Sequence, residues 1–126
     1  MIVGVGIDAV DIDRIDRMLA DKGDRMLKRL FTTGELSYFA TKSAPGQHVA
    51  VRLAAKEAAY KALAGNELAR GIGWRDVEVF SRPDGVPELR LHGRAAERYA
   101  ELAATSVHVS LTHSATTAIA VVIVER

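Results

Sequence analysis

Few residues of this chain have the type and spacing for chemistry. Asp8 ends the apolar run Met1-Ile2-Val3-Gly4-Val5-Gly6-Ile7. A carboxylate drawn inward by such a run is costly unless it binds a cation or collects hydrogen bonds. A turn cap is the plain alternative, since Asp is common after strands; position alone leaves both open. The stretch Arg52-Leu53-Ala54-Ala55-Lys56-Glu57-Ala58-Ala59-Tyr60-Lys61 sets Glu57 and Lys61 four residues apart, on one helix face, and Arg52 and Lys56 likewise. Solvated ion pairs would account for that spacing. Alanine at nearly every other position instead leaves room for a ligand to approach closely. His113, in Ser110-Leu111-Thr112-His113-Ser114, is either a satisfied polar residue or, with Ser110 or Thr112, a contact for phosphate oxygens.

A fourth candidate is a surface. Residues 14–29 hold six basic and three acidic side chains. Arg14, Met18 and Arg25 fall roughly on one side of a helix there. This is either an ordinary solvated amphipathic face or a basic ring around an apolar centre, suited to an acidic partner.

Several chemistries are excluded. There is no cysteine, hence no disulfide, thiolate zinc site or cysteine nucleophile. No Gly-x-Ser-x-Gly elbow and no phosphate-binding P-loop occurs, and Gly4-x-Gly6 is too short for a dinucleotide fingerprint. Lys and Arg number 17 against 16 Asp and Glu, so no global attraction to nucleic acid exists and recognition must come from local patches. No run approaches the roughly 20 apolar residues of a membrane span. Asp8, Asp11 and Asp13 follow the apolar start at once, unlike a secretory signal, which points to the cytoplasm.

The elements that must position these residues follow from periodicity and punctuation. With 126 residues, 48% apolar and 26% charged, one globular domain over 1–126 is expected. Residues 2–7 read as a strand. Asp13 is a candidate cap for a helix over 14–29, which Gly23 can interrupt. Thr32 with Glu35 fits a capping box. After the turn Ser43-Ala44-Pro45-Gly46, the span Gln47–Ala64 has the strongest helical composition, with Gly65 as its stop. Strands at Val77–Phe80 and Glu88–Leu91 flank Arg82-Pro83-Asp84-Gly85 as a hairpin. A helix over 94–104 precedes a second hairpin of Val107–Thr112 and Thr117–Val124. Helices and antiparallel strands without regular βαβ alternation predict an α+β fold, a small antiparallel sheet against a long central helix.

Taken together, these segments resemble holo-[acyl-carrier-protein] synthase, the short class of 4′-phosphopantetheinyl transferases. The resembling pieces are Gly4-Val5-Gly6-Ile7-Asp8 with Asp11-Ile12 and Arg14-Ile15; Leu30-Phe31-Thr32 with Glu35; Arg52 to Ala58 with Lys61-Ala62-Leu63; Gly85-Val86-Pro87; and His108 to His113. The Arg-x-Ala-Ala-Lys-Glu-Ala block is the most specific. The resemblance implies transfer of the phosphopantetheine arm of coenzyme A to a serine of an apo acyl carrier protein, in fatty acid or polyketide biosynthesis. It implies Mg²⁺ as cofactor and a homotrimer with active sites between subunits.

Residue by residue, it implies Asp8 and Glu57 as metal ligands and Lys61 as a catalytic cation at the pyrophosphate. The resemblance leaves the base for the serine open; Glu57, acting through a water on the metal, is the candidate. Arg52, Lys56, Gly85, Pro87, Ser110 and His113 would hold coenzyme A, and Arg14, Met18 and Arg25 the acidic carrier protein. Two departures stand out: Ser43 to Gln47 lacks the basic residues common in relatives, leaving only Lys42 nearby, and Thr112-His113-Ser114 stands for the commoner Ser-His-Thr. An inactive carrier-binding module would lack a metal carboxylate, and a pyrophosphate hydrolase would not need the basic helix.

Overall fold

Strand alternation assigns the first residues their roles. β1 (Ile2–Asp11) turns Gly4, Gly6, Asp8 and Val10 to one face and Val5, Ile7 and Ala9 to the other. The computed structural model describes residues 1–126. After β1 come α1 (Ile12–Leu30), α2 (Thr33–Ala40), α3 (Gly46–Leu63) and the short α4 (Glu67–Arg70). A single 3-10 turn (Trp74–Asp76) leads into β2 (Val77–Ser81), β3 (Pro87–Leu91), α5 (Gly93–Glu101), β4 (Ser106–His113) and β5 (Thr117–Glu125).

β5 lies between β1 and β4 in one antiparallel sheet, and β2 and β3 form a separate two-stranded sheet. The expected α+β architecture is present, with α3 laid across the inner face of the three strands. Small residues make that approach close. Ala54, Ala55 and Ala58 on the helix, and Ala118, Ala120, Val122 and Val124 on β5, are fully buried. Gly4 and Gly6 complete the fit: a Cβ on Gly4 would run into the Ala62 carbonyl, and one on Gly6 into the Ala58 carbonyl. The Gly-x-Gly pair is therefore a packing device. Because α1 covers another side of α3, the central helix is buried nearly all round and lacks a simple apolar stripe.

Several boundaries differ from expectation. β1 runs to Asp11 rather than ending at residue 7, because β5 pairs with it through Asp8↔Ala120 to Asp11↔Thr117. Asp11, not Asp13, caps α1, its side chain accepting the Asp13 N–H at 3.1 Å. The interruption expected at Gly23 is present one residue earlier, as a kink at Lys22 with φ −133° and ψ 31° that joins two helical segments. α5 stops at Glu101, short of residue 104, and Ala103 takes a left-handed φ of 54°. Neither α4 nor the 3-10 turn was expected. The capping box forms in both directions: Thr32 Oγ1 accepts from Glu35 N at 3.2 Å, and Glu35 Oε1 accepts from Thr32 N at 2.9 Å. No helix is long and apolar enough to cross a membrane.

Candidate active site

The Gly4 and Gly6 contacts bring β1 against α3, and Asp8, on the same face, comes to Glu57 and Lys61. This position within the strand removes the turn-cap reading of Asp8. Lys61 Nζ donates to the Ile7 carbonyl at 2.9 Å and to Asp8 Oδ1 at 3.1 Å. The other oxygen, Oδ2, is buried with no donor. The Asp8 carboxyl neighbours that of Glu57, another acceptor unless a proton is shared between them. Burial, then the shared proton and the charge of Asp8, push Glu57 up to about 7, against the pull of Lys61 and Arg14. Two close carboxylates that resist ionising together are a set of hard oxygen donors short of positive charge. They suit a divalent cation that takes one or two protein carboxylates and completes its shell with water or phosphate oxygens.

Glu57 lies where two depressions meet. One is a cavity of about 390 Å³ lined by Tyr60, Lys61, Ile72, Trp74 and Val77, within the size range of small-molecule sites. The other is a groove along α1 lined by Arg14, Met18, Arg25, Arg29 and Leu53. Arg14, Met18 and Arg25 do share one face, and that face leads to Glu57. Trp74 also borders both depressions. Sequence reasoning missed Trp74 and Tyr60. The available signal for Trp74 was a sole tryptophan directly after Gly71-Ile72-Gly73.

Lys56 requires a correction. Its ammonium is buried and donates to Glu35 Oε1 at 2.8 Å, to the Trp74 carbonyl at 3.0 Å and to the Val77 carbonyl. An ammonium has three N–H groups, so none is left for a coenzyme A phosphate. Burial pushes its pKa down and the Glu35 carboxylate opposes that. Arg52 is also buried: its guanidinium lies 4.0 Å from the centroid of the Tyr38 ring and donates to Ser81 Oγ at 2.9 Å. Beside it is His48, held below its usual pKa by burial and then by the charges of Arg52, Lys42 and His113. Arg52 and His113 thus belong to a second, basic cluster around His48, separate from the cavity beside Glu57.

The remaining coenzyme-binding candidates do not come together within one chain. Ser110 and His113 are three residues apart on β4, so they face opposite sides of the sheet. Ser110 pairs with Val121 in the row carrying Ile7, on the outer face, whereas His113 pairs with Ala118 on the inner face. Gly85, with φ 86°, and Pro87 lie in the exposed turn and first residue of the β2–β3 hairpin, and neither lines the cavity.

The sequence and the fold have known counterparts. Over 126 residues, the chain is 46% identical to a holo-[acyl-carrier-protein] synthase of Geobacter sulfurreducens, covering 100% of this chain and 99% of the relative. The crystal structure of holo-[acyl-carrier-protein] synthase from Neisseria meningitidis superposes with a TM-score of 0.87 at 28% identity, covering 100% of both chains. The enzyme from Bacillus anthracis, solved in complex with CoA (3′,5′-ADP), gives 0.78 at 33% identity, covering 99% of this chain and 97% of that one. The family model matches residues 4–122, nearly the whole fold including Asp8, Glu57 and Lys61, and by that match this chain belongs to the 4′-phosphopantetheinyl transferase superfamily.

Proposed function

We infer that this chain transfers the 4′-phosphopantetheine arm of coenzyme A to a serine hydroxyl of an apo acyl carrier protein, releasing adenosine 3′,5′-bisphosphate. The observation that carries this reading is Glu57, which borders both a ligand-sized cavity and a basic groove, with Lys61 in the cavity wall and Asp8 against both side chains. The serine oxygen attacks the phosphorus bearing the pantetheine arm, the bond to the bridging oxygen breaks, and the nucleotide phosphate leaves with that oxygen. Such a transfer depends on positioning and on neutralising charge. Lys61 has one N–H beyond those given to Ile7 and Asp8, and the half-exposed ammonium can direct it at the leaving phosphate. Glu57, at the junction of cavity and groove, is placed to accept the serine proton. Asp8 and Glu57 would hold Mg²⁺, which when bound supplies positive charge to the pyrophosphate oxygens. The groove of Arg14, Met18 and Arg25 offers the carrier protein a basic rim around an apolar side chain.

The reading includes a homotrimer with active sites between subunits. Two features support it. Val5 and Ile7 are 57% and 60% exposed on the outer face of the sheet, beside Ile119, an apolar surface suited to burial against another copy. The Arg52–His113 cluster and the Gly85–Pro87 turn also lie apart from the Glu57 cavity in one chain, as expected if a neighbour completes each site. Light scattering after gel filtration should give three chain masses, and an active monomer would remove this part. A cytoplasmic setting belongs to the same reading and is checked by cell fractionation.

The deciding experiment is an intact-mass assay with coenzyme A and an apo acyl carrier protein, with Mg²⁺ or with chelator. The carrier should gain one phosphopantetheine arm only with the metal. No gain on several different carriers, using a folded chain, overturns the reading.

A further inference from the structure

Glu57 and Trp74 are the two residues that border both the cavity and the α1 groove. Trp74 opens a turn that is largely closed on itself: Gly73 N donates to Asp76 Oδ2 at 2.8 Å, and Asp76 N to the Gly73 carbonyl at 3.1 Å. From β3, His92 N donates to the Asp76 carbonyl at 2.7 Å. On the α3 side, every hydrogen bond that reaches residues 72–77 comes from one atom, Lys56 Nζ, which holds the Trp74 and Val77 carbonyls. Lys56 is aimed by Glu35, itself fixed by the Thr32 N–H and by the Val79 N–H at 3.0 Å. Lys56 and Glu35 are 2% and 1% exposed. A buried ion pair is poor evidence for stability, because apolar residues of similar volume often serve as well or better. What this one supplies is direction, since its donors demand acceptors from α2, the 3-10 turn and β2 in set places.

We propose that Lys56, braced by Glu35, is a positioning residue for the transfer: it fixes Trp74 across from Glu57, so that the coenzyme cavity and the carrier groove meet at the reacting carboxylate. This rests on the functional reading above and extends it to Lys56, all three of whose N–H groups are held by protein acceptors, and to Glu35 behind it. A small displacement of such a partition misaligns the attacking and leaving oxygens, and misplacement by about 1 Å can cost on the order of a hundredfold in rate.

The test is the pair Lys56→Met with Glu35→Gln, in which glutamine can still serve the capping box. Trp74 is the only tryptophan, so its emission and anisotropy report its placement directly. With folding checked by circular dichroism, kcat should fall by about tenfold or more while KM for coenzyme A stays within about twofold, a loss of alignment rather than of binding. Trp74 emission should shift and its anisotropy should drop. Wild-type kcat in the folded variant overturns the proposal, as does a lowered kcat with an unmoved Trp74 signal. If the pair does not fold, Lys56→Arg takes its place, keeping the charge while changing its reach and geometry; wild-type kcat or an unmoved Trp74 signal there is equally fatal. Should the unmodified chain transfer nothing, the functional reading fails, and Trp74 emission still tests the Lys56 link by itself.

Discussion

Lys61 Nζ stands 3.1 Å from one oxygen of Asp8, and the other oxygen of that carboxylate is buried with no donor. The ammonium satisfies one side of a carboxylate that also neighbours Glu57, and the other side has no donor. An arrangement built only for stability would have supplied both oxygens with donors, because an unpaired buried acceptor costs about 1–3 kcal/mol.

Removing either carboxylate should therefore remove the metal and leave the fold. Asp8→Ala and Glu57→Ala are each expected to lose Mg²⁺-dependent transfer by about a hundredfold or more, in line with losses seen when metal sites are disturbed. Their circular dichroism should match that of the parent. The intact-mass assay gives the answer, and near-normal transfer by either variant would exclude that residue from the metal site.

The pH dependence of stability has a definite sign. Glu57 titrates at about 7 in the folded chain against an ordinary 4.5. The folded state thus holds a proton that the unfolded state releases. This group's stabilising contribution is complete below pH 4.5 and is lost as the pH rises to about 7. Added Mg²⁺ should raise the melting temperature at pH 8 and do little near pH 5, where the Glu57 proton competes with it. Melting curves of the chain and of Glu57→Gln, each with and without Mg²⁺, check this. An equal rise at both pH values in the parent would contradict it.

Gly6→Ala should be far more damaging than a methyl group suggests. Its Cβ would meet the Ala58 carbonyl, and backbone cannot yield as a flexible side chain can. Overpacking of this kind costs about 1–3 kcal/mol, occasionally more, and here it also pushes β1, and with it Asp8, off α3. Urea unfolding should show the lower midpoint, and transfer should fall in the fraction that remains folded.

Arg14→Glu reverses a charge on the groove while leaving the cavity lining unchanged. KM for the carrier protein should rise by about tenfold and KM for coenzyme A by much less. Added salt should raise the parent's KM for the carrier in the same direction. Equal effects on both substrates would argue against docking on α1.

Local signals carry real content in this chain. Thr32 and Glu35 announce the capping box, Arg82 to Gly85 the hairpin, Gly65 the end of the central helix, and the Arg52–Lys61 block the helix that carries the site. In each case a few neighbouring residues settle the local backbone geometry through hydrogen bonding, propensity or permitted φ and ψ. The pairing of Asp8 with Glu57 was foreseen only through family resemblance, because no local rule relates residues 49 positions apart.

The tertiary structure decided what each charge does. Lys56 and Lys61 are both lysines on α3, yet one has all three N–H groups bound to protein and the other has one to give. Ser110 and His113 look like neighbours in sequence and point to opposite faces, because β4 alternates by twos. Trp74 matters because a turn too short to be predicted carries it to Glu57. The amino-acid sequence alone determined the element types, the turn sites and the pool of reactive side chains, since these depend on interactions within a few residues. Which of those side chains are buried, saturated or free depends on contacts between β1, α2, α3 and the 3-10 turn, and only the folded chain brings those together.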